Sequence, residues 1–321
     1  MEHSWRRRGT VALLAVGLAF AVFPLLPNVD VVNSDWPAFA TGARLIVADP
    51  GHLYDLAAQQ KVQDEVTGGR VLVSPGIHGI LPFLAPAWVA LVAVPFDALG
   101  TDAGGRLWIL FGLMCLVAGL FLSVRPRASA EILPAFACVP TALLMLNAQL
   151  DGIVALGIGA AIALRSRNYL AGLALGLTLV KPQLVLPLGV AVLFLRRWKV
   201  LAGWAAAGLI LLMPTLALNP SWVGEWLAQV RSTVAPVSRE VDAAHFGTLL
   251  PAPAQPYAVA LLTLLALLVV IYLAARRRND ARAAAAILVI GGVAVSPHAL
   301  PADLVLAAVG LAIWGGASWP E

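Results

Sequence analysis

Three residues in this sequence have the type and setting to do chemistry: Asp35, Lys181 and His298. Asp35 stands in Asn33-Ser34-Asp35-Trp36-Pro37, at the head of a stretch with helical spacing. A carboxylate there caps a helix whose first turn tolerates proline, a task Ser34 can share, or it takes a proton from a hydroxyl. Lys181 lies between apolar runs of 13 and 14 residues. A lysine inside a membrane is costly unless it is paired or faces water, so it either snorkels to an interface or holds an anionic group such as phosphate. His298 follows Pro297 where an apolar run ends. A lone histidine in a loop is commonly just hydrogen-bonded, but its imidazole also suits a phosphate oxygen. Asp303, five residues on, either orients His298 or caps a helix. Gln149 and Asp151 read as polar glue between helices, and Asp55, after Tyr54, as a capping or loop-folding residue.

The elements that must position these residues are set by composition. Of 321 residues, 60% are hydrophobic and only 12% charged, and the mean hydropathy is +0.88. Lipid is therefore the solvent for most of the chain. Charge-free runs at Gly9 to Val29, Val71 to Phe96, Leu107 to Val124, Ile132 to Leu150, Val200 to Gly224, Phe246 to Ala275 and Ala283 to Ala302 are each long enough to cross a hydrocarbon core of about 30 Å. The expectation is an all-α polytopic membrane protein of about ten transmembrane helices, forming one domain over residues 1–321. The first run is too long for a signal-peptide core and lacks a small-residue cleavage site, so it reads as a retained helix with a cytoplasmic N-terminus. Net charge is +4, but the bases cluster at helix ends, which speaks for the positive-inside rule and against nucleic acid. Cys115 and Cys138 lie in apolar runs and behave as small hydrophobes.

Basic clusters at Arg6 to Arg8, at Arg196, Arg197 and Lys199, and at Arg276 to Arg278 with Arg282 mark the cytoplasmic side. Alternation then puts a first loop, residues 28–77, and a second, residues 219–256, outside, with Ser296-Pro297-His298 on the same face. Between Asp97 and Arg196, strict alternation needs an even number of crossings and leaves Arg125, Arg127, Arg165 and Arg167 outside, against the rule. Four crossings meet this, with Asn168 to Leu195 one helix kinked at Pro182, and a re-entrant pair would also fit.

The first loop is long enough to carry function of its own. Trp36, Phe39, Ala43 and Ile46 recur at helical spacing, which predicts an amphipathic helix lying in the membrane interface with its aromatics at headgroup level. A second short helix is expected around Leu56 to Val66. Trp88, Trp108, Trp198, Trp222, Trp226, Trp314 and Trp319 read as an interface belt.

Asp35-Trp36-Pro37-Ala38-Phe39-Ala40-Thr41-Gly42-Ala43-Arg44, followed by Pro50-Gly51-His52-Leu53-Tyr54-Asp55, resembles the first outer loop of glycosyltransferase family 87, the polyprenol-phosphate-mannose-dependent mannosyltransferases of GT-C fold. Pro82-Phe83-Leu84-Ala85-Pro86, Asn147-Ala148-Gln149-Leu150-Asp151, Ala171 to Gly176 with Lys181-Pro182, Arg196-Arg197-Trp198, and Ser296-Pro297-His298 with Asp303 follow in the family's order. The sequence departs from the pattern at Ala148, where the family has glycine, and at Ala302, where a tyrosine is expected. The resemblance implies a GT-C-type bundle in the cell's inner membrane with its active site on the outer, periplasmic side. It implies transfer of a hexose, with mannose the family's sugar, from a polyprenyl-phosphate donor to a lipid or glycan acceptor. Asp35 matches the family's catalytic base; Lys181 and His298 would hold the donor phosphate, with Arg44, Tyr54, Asp55, Gln149 and Asp303 in support. No metal or cofactor is expected, since a lipid monophosphate needs no metal and the sequence holds neither HExxH nor an Asp-x-Asp pair. The rival from another class is a transporter or flippase of a lipid-linked sugar, which also wants a lysine at membrane depth and broken helices.

Overall fold

The computed structural model describes residues 2–26, 29–70, 72, 80–124, 132–234, 255–296 and 299–315. The described residues are built from helices, as the apolar runs predict. In chain order they are α1 (Glu2–Val22), α2 (Trp36–Ala48), α3 (Leu56–Thr67), α4 (Ala87–Asp97), α5 (Thr101–Ser123), α6 (Ile132–Phe136), α7 (Val139–Leu146), α8 (Asp151–Ala163), α9 (Asn168–Leu175), α10 (Leu186–Phe194), α11 (Trp198–Leu218), α12 (Trp222–Gln229), α13 (Gln255–Arg276), α14 (Ala281–Val295) and α15 (Leu304–Gly315). Among the described residues, α5 and α11 are the two helices long and apolar enough to cross a membrane unaided. Several other apolar stretches are helical but interrupted. The run Ile132 to Leu150 breaks into α6 and α7 around Cys138, just ahead of Pro140.

The run Val71 to Phe96 does not form one long helix. Among the described residues of this run the helix is α4, eleven residues, or about 16 Å of rise, half a hydrocarbon core. The residues before α4 are extended because α3 supplies their hydrogen bonds. Gln63 donates to Leu81 O at 2.7 Å and accepts from Leu81 N at 2.8 Å, and Gln59 accepts from Phe83 N at 2.9 Å. Two glutamines one turn apart thus serve as the partner strand an extended segment needs. Both ends of α4 are tied to the loop helices, through Tyr54 Oη donating to Ala85 O at 2.8 Å and Arg44 pairing with Asp97 at 3.1 Å.

Helix α2 forms where its spacing predicts, but almost all of its surface is covered, not just one stripe. Trp36 and Phe39 pack against Trp108 of α5 at ring separations of 5.8 and 5.2 Å, and Gly42 lets the Phe83 ring lie across the helix, where a Cβ would come within 2.6 Å of it. The expectation of a single covered stripe is corrected: α4 and α5 bury the second face. The tryptophan belt needs the same correction at Trp108 and Trp222, both fully buried, while Trp198 is exposed as expected.

Close approaches fix how the long helices run. An added Cβ on Gly152 would lie 2.0 Å from Gly112 O, and one on Gly159 would lie 2.2 Å from Gly119 O. Helices α5 and α8 are therefore parallel and nearly touch backbone to backbone, the small-residue packing favoured in membranes. Helices α9 and α11 are parallel too, with Gly172 against Val200 and Gly176 against Ala207. The start of α5 sits by the first loop, where Trp36 Nε1 donates to Thr101 O at 2.9 Å. Its far end meets the α13–α14 connection, where Arg282 Nε donates to Ser123 O at 3.2 Å. At that connection the Arg277 guanidinium also covers the Trp314 ring near the end of α15. Arg165 and Arg167 follow α8 and precede α9, so they share an end of the bundle with the Arg196 cluster. The sequence expectation that set them opposite one another arose from counting Val71 to Phe96 as a crossing.

Between α9 and α10 the chain is not a single kinked helix. It unwinds through two 3-10 turns, Gly176–Val180 and Pro182–Val185, with Lys181 between them in a non-helical conformation.

Candidate active site

Helix α2 opens without using the carboxylate at its head. Ser34 Oγ accepts from Trp36 N at 3.2 Å, whereas the side chain of Asp35 makes no capping bond. Asp35 N donates to Asn147 O at 3.2 Å, which seats the head of α2 on the α7–α8 turn. That turn requires Ala148 at a left-handed φ of 52° and is pinned by Trp108 Nε1, which donates to Ala148 O at 3.0 Å. The next residue, Gln149, then points its amide at the Asp35 carboxylate, and Gln149 Nε2 donates to Asp35 Oδ2.

The other end of the same amide meets Lys181. Lys181 Nζ donates to Gln149 Oε1 at 2.7 Å, to Asp151 Oδ2 at 2.9 Å and to Asp303 Oδ1 at 2.5 Å. All three ammonium hydrogens are thereby used. The break in the helix is what delivers this lysine inward: it is only 8% exposed, so snorkelling to an interface does not describe it. Asp303, in a 3-10 turn ahead of α15, also accepts from Leu300 N at 2.7 Å. Asp151, the first residue of α8, is fully buried, and its Oδ1 has no partner. The Gln149 amide can satisfy a cation on one side and an anion on the other only in this orientation, so it links the lysine to Asp35.

Asp35 keeps part of its surface open although its carboxyl is packed mostly by protein. Burial pushes this carboxyl up to about 6; Lys181 pulls it down and Asp303 adds to the rise. The group is thus a carboxylate at neutral pH, and basic enough to accept a proton.

The structure brings Asp35, Gln149, Lys181 and Asp303 together and sorts the supporting residues differently. Asp55 caps α3, accepting from Ala58 N at 2.7 Å. Tyr54 and Arg44 tie the loop to α4. Burial holds the Tyr54 phenol well above its usual range, so it stays a donor. His298 lies outside the described residues. Asp151 belongs to the cluster although its sequence position suggested helix glue alone. Its signal was an acid at the head of an otherwise apolar helix, a place where ionisable groups need a partner.

A buried lysine ringed by carboxyls and an amide, where several interrupted apolar helices meet a packed loop, defines a helical membrane-type protein with an interior polar site. Its family is shown by sequence: the model of glycosyltransferase family 87 matches residues 83–301, and the chain belongs to that family. It is therefore a glycosyltransferase. No curated protein and no solved structure matches it. The matched stretch contains Gln149, Asp151, Lys181 and His298. Asp35 precedes it and Asp303 follows it, and hydrogen bonds join both to the matched residues.

Proposed function

We propose that the protein transfers a hexose, mannose in the first instance, from a polyprenyl-phosphate donor to a hydroxyl of a lipid or glycan acceptor at the outer face of the cell membrane. The observation that carries this reading is the Asp35 carboxyl, released from capping by Ser34 and held by Gln149 beside Lys181.

In the reaction, Asp35 takes the proton of the acceptor hydroxyl. The acceptor oxygen bonds to the anomeric carbon as the bond to the donor phosphate breaks, inverting that carbon, and the electron pair leaves with polyprenyl phosphate. Lys181 has no free donor, so its charge acts at short range: it holds Gln149, Asp151 and Asp303 in place and favours anionic charge nearby. His298 is assigned to the leaving phosphate oxygen on the family resemblance. The polyprenyl chain lies among the lipid-facing helices. The orientation rests on the positive-inside rule: the basic residues around Arg165, Arg196 and Arg276 are put on the cytoplasmic side and the two loops outside.

The test is transfer of radiolabelled mannose from polyprenyl-phosphate-mannose by purified protein and its Asp35→Asn variant. Loss of a general base is expected to lower turnover by about 100-fold or more. Undiminished transfer by Asp35→Asn overturns the mechanism. The unwound segment at Lys181 is also what a flippase would have, and movement of the lipid-linked sugar across vesicles without transfer favours that reading.

A further inference from the structure

Helix α12, in the second loop, lies against the first loop. Asn219 Nδ2 donates to Pro50 O at 2.9 Å, and Trp226 Nε1 donates to Leu84 O at 2.8 Å. The Trp222 ring stacks beside Tyr54 at 6.3 Å and meets Trp88 edge-on at 5.4 Å. Trp88 in turn donates to Leu179 O at 3.1 Å, two residues before Lys181. The inner face of α12 is thus one tryptophan away from the chain that carries the buried lysine.

That face is polar where packing alone would make it apolar. Gln229 is 6% exposed, yet neither its Nε2 nor its Oε1 has a partner, and the indole N–H of fully buried Trp222 is likewise unpaired. Residues 222 and 229 are seven apart, two turns of one helix face. A buried amide with nothing bonded to either end destabilises the fold unless a ligand completes it. An amide that donates and accepts side by side matches the adjacent hydroxyls of a sugar ring, and the indole N–H two turns back on the same helix face offers a further donor.

We infer that Gln229 and Trp222 form a sugar-recognition subsite, in which the Gln229 amide bonds two neighbouring ring hydroxyls and Trp222 supplies a further N–H. This rests on the transferase reading given above. The sugar comes from either the donor hexose or the acceptor glycan.

The experiment compares wild type with Gln229→Leu and Gln229→Asn in detergent. The readouts are binding of polyprenyl phosphate with and without its hexose, KM for each substrate, and thermal unfolding. Expected for Gln229→Leu is an unchanged or raised unfolding temperature, because an unpaired amide is replaced by an apolar group of similar size, together with about a tenfold loss in sugar recognition. If the donor supplies the sugar, the preference for hexosyl lipid over bare lipid phosphate disappears. If the acceptor does, that preference survives and the acceptor KM rises. Wild-type binding and KM values in Gln229→Leu, with transfer intact, overturn the subsite and leave the transferase reading standing. A lowered unfolding temperature with unchanged KM values in both variants makes Gln229 structural and overturns it equally. Absence of transfer from any donor by wild type overturns the transferase reading itself.

Discussion

An aspartate that opens a helix ordinarily spends its carboxylate on the helix's own N–H groups. Asp35 is relieved of that task by the serine before it, and the consequence is measurable as a pH profile. Because burial raises the carboxyl from 3.8 to about 6, kcat/KM is expected to fall as pH drops through about 6, where an unshifted carboxylate would hold activity down to about 4. A profile flat to pH 5 would remove Asp35 from the role of base. The same shift acts on folding with opposite sign. The folded state binds this proton more tightly than the unfolded chain does, so the group's contribution to stability declines as pH rises from about 4 to about 6. Asp35, Lys181 and Gln149 were legible in the sequence because each breaks its surroundings: an acid by an aromatic helix start, a charge between apolar runs, an amide in a membrane segment. Their wiring was not. Asp303 lies 122 residues from Lys181, and nothing local announces that distance. The partners of Lys181 were hidden for the same reason: Gln149, Asp151 and Asp303 take the three hydrogens that the sequence left open to a phosphate.

The elements were legible wherever one apolar run makes one helix, as in α5 and α11, and illegible where backbone polar groups find partners outside a helix. Val71 to Phe96 is as apolar as any crossing, but Gln59 and Gln63 hold the stretch around Leu81 to Phe83 extended ahead of α4, and two glutamines on a short helix give no sign of that in sequence. The α7–α8 turn is a second such place. Ala148 holds a φ of 52° while 1% exposed, a conformation that costs an ordinary residue about 1 to 2 kcal/mol, so the departure from the family's glycine retains a strain that glycine would lack. Ala148→Gly is expected to be nearly neutral, the relief being offset by the loss of a buried methyl worth about 0.8 kcal/mol and by a freer unfolded chain. Ala148→Val adds a branched side chain to a closed position and is expected to destabilise by about 3 kcal/mol, read as a lower unfolding temperature in detergent. The same variant should lose activity, since the turn also holds Asp35 through Asn147. A valine variant as stable as wild type would show that the turn takes another conformation.

At the scale of the whole molecule, the parallel pairs α5–α8 and α9–α11 gather the basic connections at one end and the described residues of the two loops at the other. Surface labelling tests the proposed orientation. His52, whose side chain is 61% exposed, is expected to react as His52→Cys with a membrane-impermeant thiol reagent on intact cells, whereas Arg167→Cys reacts only after permeabilisation. The reverse pattern would invert the protein in its membrane. The broken stretch around Lys181 has a further consequence, for biogenesis. Neither arm is long enough to be threaded through a bilayer by itself, and a lysine at the bend adds about 3 kcal/mol against insertion, so the translocon must accept both arms as one hairpin. Gln149 and Asp151 are already made when that hairpin emerges, but Asp303 is not. The ribosome has to finish α14 and the turn that follows it before the lysine's neighbourhood is complete. A chain ended after Arg278 is therefore expected to be cleared by membrane proteases faster in a pulse-chase than a full-length chain carrying Asp35→Asn, and equal lifetimes would show that the terminal hairpin is dispensable for assembly.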